Sequence, residues 1–156
     1  MLRRRPPLTP LTPDEALRKL ETFCAYRDRT GAEVRARLAE LGVGGETAEE
    51  IFGLLRDEGF FDETRFARAY VRGKLNSNHW GRVRIRIELK RKGIDPDTIR
   101  QVMAEEIDET EYTALAQRLI EKKRLSYQAD DPLAAQKAAA SLIRAGFEPE
   151  LVFRLI

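Results

Sequence analysis

Cysteine and histidine are nearly absent from this chain of 156 residues: Cys24 and His79 are the only ones. A lone cysteine excludes an internal disulfide and fits a reducing compartment. Its place in the apolar row Ala16, Leu17, Leu20, Phe23 marks it as buried filler rather than a reactive thiol. One histidine excludes a multi-histidine metal centre, and with one cysteine no zinc constellation can be assembled, so neither metal nor cofactor is expected. Long apolar runs are missing as well. The opening Met1-Leu2-Arg3-Arg4-Arg5-Pro6-Pro7-Leu8-Thr9-Pro10 is basic, but no apolar stretch follows it. It is expected to be neither a signal peptide nor a membrane anchor but a flexible, basic, Pro-rich arm over residues 1–11, on a cytoplasmic protein that contacts no membrane.

The arrangements that mark an enzyme are also lacking. Gly42-Val43-Gly44-Gly45 has no lysine for a phosphate-cradling loop, and it follows a helical pattern where dinucleotide motifs follow a strand. Glu49 with Glu50, and Glu105 with Glu106, are sequence neighbours on exposed helices, and an acid/base pair needs a dry pocket instead. A non-enzymatic protein is expected.

What the chain does have is one frame written three times. Leu38-Ala39-Glu40-Leu41-Gly42-Val43, Leu89-Lys90-Arg91-Lys92-Gly93-Ile94 and Leu142-Ile143-Arg144-Ala145-Gly146-Phe147 share Leu, three residues, Gly, apolar, at a period of roughly 50 residues. Four positions before each Leu stand Val34, Ile85 and Ala138, the spacing that sets two side chains on one helix face. The glycine after each helix takes the left-handed conformation of a C-terminal cap, and the apolar residue behind it folds back onto the last turn. Asp95-Pro96-Asp97 and Glu148-Pro149-Glu150 then open a further helix, with proline at its first position. Thr12 with Glu15, Asp62, and Asp108 with Glu111 cap the helix that precedes each frame.

The expected fold is therefore all-α: an elongated tandem array of three three-helix repeats over residues 12–61, 62–107 and 108–156. A charged share of 35% beside 42% hydrophobic residues suits exposed helix faces around small cores, and the array needs no second copy, so a monomer is expected. Tyr26, Tyr112 and Tyr127 are expected to pack repeat on repeat.

The net charge of +2 conceals an asymmetry. Arg65, Arg68, Arg72, Lys74, Arg82, Arg84, Arg86, Lys90, Arg91 and Lys92 crowd the middle repeat, and Asp95, Asp97, Glu105, Glu106, Asp108, Glu109 and Glu111 follow at once. A cationic stripe beside an acidic one is the footprint of docking on a polyanion, on a charged protein groove or on both, and the ten cations are the candidate partner- and DNA-binding residues. Within the block, Arg82-Val83-Arg84-Ile85-Arg86-Ile87-Glu88-Leu89 alternates like a strand. The repeat overrules that pattern. Ile85 and Leu89 fall on the core positions of Val34 and Leu38, which leaves Val83 and Ile87 facing outward with Arg84, Lys90 and Arg91. Trp80 beside His79 and Arg82 suits stacking on a base or anchoring an interface, and suits equally well a place beneath the loop between two helices.

Gly59-Phe60-Phe61-Asp62-Glu63-Thr64-Arg65-Phe66-Ala67-Arg68-Ala69-Tyr70-Val71, then Gly81-Arg82, then Glu88-Leu89-Lys90-Arg91-Lys92-Gly93-Ile94, resemble the most characteristic stretches of the RecX family of bacterial recombination regulators. The resemblance covers nearly the whole chain, since that family is also built from tandem three-helix repeats. It implies a protein that binds the RecA recombinase filament, inhibits its ATPase and strand exchange, and in some members also touches single- or double-stranded DNA. A direct nucleic-acid binder without a recombinase partner is the alternative. Asn76-Ser77-Asn78-His79-Trp80 stands where the family carries a basic, glycine-containing link, which weighs against DNA contact at that loop.

Overall fold

The computed structural model describes residues 9–156; most of the arm expected over residues 1–11 lies outside that range. Among the described residues there are nine helices and no strand. They are α1 (Pro13–Tyr26), α2 (Gly31–Glu40), α3 (Gly45–Asp57), α4 (Glu63–Asn76), α5 (Arg82–Arg91), α6 (Pro96–Glu106), α7 (Glu109–Leu125), α8 (Ala134–Arg144) and α9 (Pro149–Leu155). The repeat boundaries expected at 61/62 and 107/108 fall between α3 and α4 and between α6 and α7. By packing, the chain divides into two bodies, one ending at Phe66 and one beginning at Ala67. No helix among the described residues is long and apolar enough to cross a membrane.

The repeated frame acts as a helix stop in every copy. Gly42, Gly93 and Gly146 have φ of 75°, 83° and 104°, the left-handed region that favours glycine. Each donates its N–H to the carbonyl three residues back (Ala39, Lys90, Ile143) at 3.0 Å. The apolar residue that follows donates to the frame's Leu carbonyl: Val43 to Leu38 at 3.0 Å, Ile94 to Leu89 at 3.2 Å, Phe147 to Leu142 at 3.1 Å. Two orphan carbonyls are satisfied per turn, and an apolar side chain is folded back over the last helical turn. The starts are fixed with equal economy. Thr12, Asp62 and Asp108 accept from the N–H of Glu15, Arg65 and Glu111, as their positions require.

In the first body Ala16, Leu20, Cys24, Val34, Leu38, Ile51, Leu55 and Phe61 form one core, with the rings of Phe52 and Phe61 5.0 Å apart. Burying a leucine such as Leu20 or Leu55 contributes about 1.5–3 kcal/mol. Burial pushes the Cys24 thiol pKa up, against the pull of Arg29, in keeping with an inert filler. Arg29 is itself buried beneath the α1–α2 connection: its Nε donates to the Phe23 carbonyl at 3.0 Å and its guanidinium lies 3.7 Å from the Phe23 ring centroid. Tyr26 departs from expectation. It is 84% exposed, at the last position of α1 before the chain becomes extended at Arg27.

In the second body the strand-like segment is helix α5, with Ile85 and Leu89 fully buried. Its outward row is as expected at Ile87, which is 46% exposed, while Val83 is half-buried. No side chain caps α5. Its first N–H groups are taken instead by the third repeat. Gly81 donates to the Ala145 carbonyl at 2.9 Å, Val83 to the Gly146 carbonyl at 3.0 Å, and Arg82 to the Tyr112 hydroxyl at 3.1 Å. The α8–α9 turn therefore ends one helix and starts another far away in the sequence. Gly81 has to be glycine, since a Cβ there would sit 2.2 Å from the backbone of Gly146 and Phe147.

Candidate functional site

Five of the ten candidate cations pair with carboxylates, four of them with acids of other elements and Arg91 within its own helix. In the first body Arg65 donates from Nε to Asp28 at 2.8 Å and reaches the Gly59 carbonyl at 3.3 Å. In the second, Arg68 bridges Glu105 and Glu106, and Arg72 forks onto Glu106 at 2.5 and 2.9 Å. The Arg72 hydrogen bond holds the Glu106 carboxyl below its ordinary pKa in spite of burial, with Arg68 adding to the effect. Arg82 has the densest surroundings. Its Nε and Nη2 grip Glu148 at 3.2 and 2.8 Å, its Nη1 reaches Glu109, and its guanidinium lies 4.0 Å from the Tyr112 ring centroid. The Glu148 hydrogen bonds hold the Arg82 pKa above its ordinary value.

The change of sign along the sequence is thus partly internal. Glu105, Glu106 and Glu109, read from sequence as one half of a docking footprint, are the partners of Arg68, Arg72 and Arg82. Glu148, placed by its spacing as a cap for α9, makes no side-chain cap and holds Arg82 instead.

The remaining five cations and Arg91 gather around α5. Trp80 and Tyr70 meet edge to face, with centroids 6.4 Å apart. The Arg84 guanidinium lies 3.8 Å from the Trp80 centroid, Lys74 Nζ lies 4.6 Å from it, and Lys92 Nζ is 5.6 Å from the centroid of Tyr70. Burial raises the Tyr70 pKa, and Glu88 adds to the rise while Arg84 opposes it. Glu88 is the acid of this surface. It pairs with Arg91 at 2.8 Å, an exposed pair three residues apart that contributes only about 0.2–0.5 kcal/mol and is readily exchanged for a partner's carboxylate. Arg86 and Lys90 are exposed on the same helix, where no ion pair engages them among the described residues. Trp80 is half-buried, with the Tyr70 ring packed against it edge to face and the Arg84 guanidinium over its ring.

Sequence reasoning missed the junction of Tyr112, Phe147 and Glu148. Tyr112 is 1% exposed, stacks on Phe147 at 5.2 Å and donates its hydroxyl to Glu148 at 3.1 Å. Burial drives its pKa up, so at neutral pH it stays a donor. As expected it packs repeat on repeat, but the only sequence signal for the polar contact was an acid before Pro149.

The structure defines a class: an all-α protein of three-helix repeats that carries its unspent charge on an exposed helix rather than in a closed pocket. Residues 62–103 match the family model described as RecX, second three-helix domain, and residues 109–156 match RecX, third three-helix domain. The chain belongs to the RecX family of regulatory proteins. It is 29% identical to the regulatory protein RecX of Amycolatopsis mediterranei over 155 residues, 96% of this chain and 88% of that protein. It is 32% identical to the RecX of Geobacillus thermodenitrificans over 83% of its own length, and spans 48% of that longer relative. The crystal structure of RecX from Lactobacillus salivarius has the same fold, with a TM-score of 0.83 at 24% identity over 92% of this chain and 93% of that one.

Proposed function

We propose that this chain is a non-enzymatic, cytoplasmic regulator of homologous recombination and DNA repair that docks on the RecA–DNA filament and lowers its ATPase and strand-exchange activities. The observation that carries the reading is the set Arg84, Arg86, Lys90, Arg91 and Lys92, exposed on and just after α5 with Lys74 half-buried beside it, while Arg65, Arg68, Arg72 and Arg82 pair with acids of other elements. It lies in the stretch matched by the second three-helix domain of a family of regulators. A filament on DNA offers phosphate, and exposed cations contribute little to stability but much to docking rate and register. The second reading, a direct nucleic-acid binder, draws on Arg84 over Trp80, which joins a stacking plane to a cation.

ATP turnover by RecA on single-stranded DNA separates the two. Arg86→Glu, Lys90→Glu and Lys92→Glu together are expected to raise the concentration needed for inhibition by about tenfold or more. Arg18→Glu with Lys19→Glu on α1 leaves it unchanged. A competitor for nucleic acid alone loses its effect steeply as salt rises and is swamped by added single strand, because its affinity rests on counterion release. Inhibition by the triple variant equal to that of the parent overturns the reading.

A further inference from the structure

Helix α5 forms against its own sequence. It has 10 residues, among them the β-branched Val83, Ile85 and Ile87, and an isolated helix of that length is marginal in water. No side chain caps its start. Its first turn has no acid and carries Arg82 and Arg84, where the partial positive charge of a helix N-terminus favours carboxylates.

The third repeat supplies what α5 lacks. The N–H groups of Gly81, Arg82 and Val83 donate to the Ala145 carbonyl, the Tyr112 hydroxyl and the Gly146 carbonyl at 2.9, 3.1 and 3.0 Å. Negative charge comes from Glu148 and Glu109, both on the Arg82 guanidinium. The Tyr112 hydroxyl ties the two together, since it accepts the Arg82 N–H and donates to Glu148 at 3.1 Å. Arg84 joins this junction to the exposed face. A Cβ on Gly146 would lie 2.4 Å from the Arg84 Cβ, so the Arg84 backbone rests on the α8–α9 turn, while its guanidinium lies 3.8 Å from the Trp80 ring centroid. If the first turn of α5 unwinds, Arg84 leaves the helix and loses its helical spacing from Arg86 and Lys90.

We propose that Tyr112 and Glu148 are positioning residues for the cationic face: acting through Arg82, they hold the first turn of α5 in the helix that presents Arg84, Arg86 and Lys90. Tyr112, 1% exposed, reaches no partner itself. The inference rests on the filament reading for what the face meets, and on this junction for how the face is held.

The test is Tyr112→Phe in the full chain, which removes one hydroxyl, leaves every cation in place and keeps a ring to stack on Phe147. Amide hydrogen exchange is read by NMR at Arg82 and at Leu89, in the last turn of α5. The ratio of the two rates is expected to rise about fivefold, the effect of one lost helix cap. At a temperature where parent and variant are both folded, the concentration needed to inhibit ATP turnover by RecA is expected to rise about threefold or more. Glu148→Gln, which removes the charge but keeps an oxygen for the Tyr112 hydroxyl, shifts both readings the same way. Ile120→Val is the control: it trims a buried side chain of α7 outside the junction, and lowers the melting temperature without moving the exchange ratio or the inhibition. The proposal is overturned if the ratio is unchanged in Tyr112→Phe, if the ratio rises while inhibition stays that of the parent, or if Ile120→Val weakens inhibition as much. A parent that does not inhibit RecA refutes the filament reading instead, and the exchange ratio then decides whether the junction holds α5.

Discussion

Gly42 and Gly146 hold the same place in the repeated frame, take the same left-handed conformation and close the same pair of backbone hydrogen bonds. Their surroundings have nothing in common. A Cβ on Gly42 meets no atom within 4 Å, whereas one on Gly146 lies 2.4 Å from the Cβ of Arg84 and 2.8 Å from its backbone nitrogen. The first turn only ends a helix. The third is also a socket, because its carbonyls receive the otherwise unpaired N–H groups at the start of α5. Repetition of a sequence frame fixes the local stop, and what docks on that stop is decided by residues outside the frame.

The largest effect is expected where the socket is filled with atoms. Gly81→Val and Gly146→Val force two backbones apart, break the caps of α5 and, at Gly146, add left-handed strain. Each is expected to cost more than about 3 kcal/mol in a urea melt, or to leave the body beginning at Ala67 unfolded while the first retains its helix signal. A loss as small as that of Gly42→Ala would remove the distinction between the two turns.

Arg82→Met ranks next. It leaves Glu148 and Glu109 without their shared guanidinium and is expected to cost about 1–3 kcal/mol, since the partly buried Glu148 loses a charged donor while the exposed Glu109 adds little. Its pH dependence carries a sign. The Arg82 hydrogen bond holds Glu109 below the ordinary carboxylate range, so the stabilisation is present above the unfolded pKa and is lost as pH falls through the lowered one. Between neutral and strongly acid pH, the gap in melting temperature between parent and variant is expected to close. A gap that stays the same from neutral to acid pH would mean that the ion pair contributes nothing.

Much of this architecture was legible because capping and periodicity act over a few residues. Thr12, Asp62 and Asp108 as caps, the three frame glycines, and Ile85 and Leu89 as core all follow from spacing alone, even against the alternation of Arg82 to Leu89. The destinations of the arginines did not follow. Arg82 and Arg84 look equivalent in sequence, yet one is drawn to Glu148, 66 residues away, and the other lies over Trp80. An arginine's long side chain selects its partner from whatever carboxylate the tertiary fold brings near, and no local pattern encodes that choice. For the same reason the acidic stretch after Lys92, which has the outline of a docking surface, turned out to supply the partners of Arg68, Arg72 and Arg82.

The smallest effect sharpens the comparison from its open side. A Cβ added to Gly93, like one added to Gly42, meets nothing within 4 Å, so alanine at either site is opposed by its backbone conformation alone. A left-handed alanine costs about 1 kcal/mol relative to glycine, offset in part because glycine loses more freedom on folding. Gly42→Ala and Gly93→Ala are therefore expected to lower stability by similar amounts, about 1 kcal/mol each, in urea melts that keep the parent's slope. Gly146→Ala is expected to exceed both, because its methyl group meets Arg84 as well as the strained backbone. Equal losses at all three glycines would show that the third turn yields to the added atom, and that α5 is capped no more tightly by its socket than by solvent.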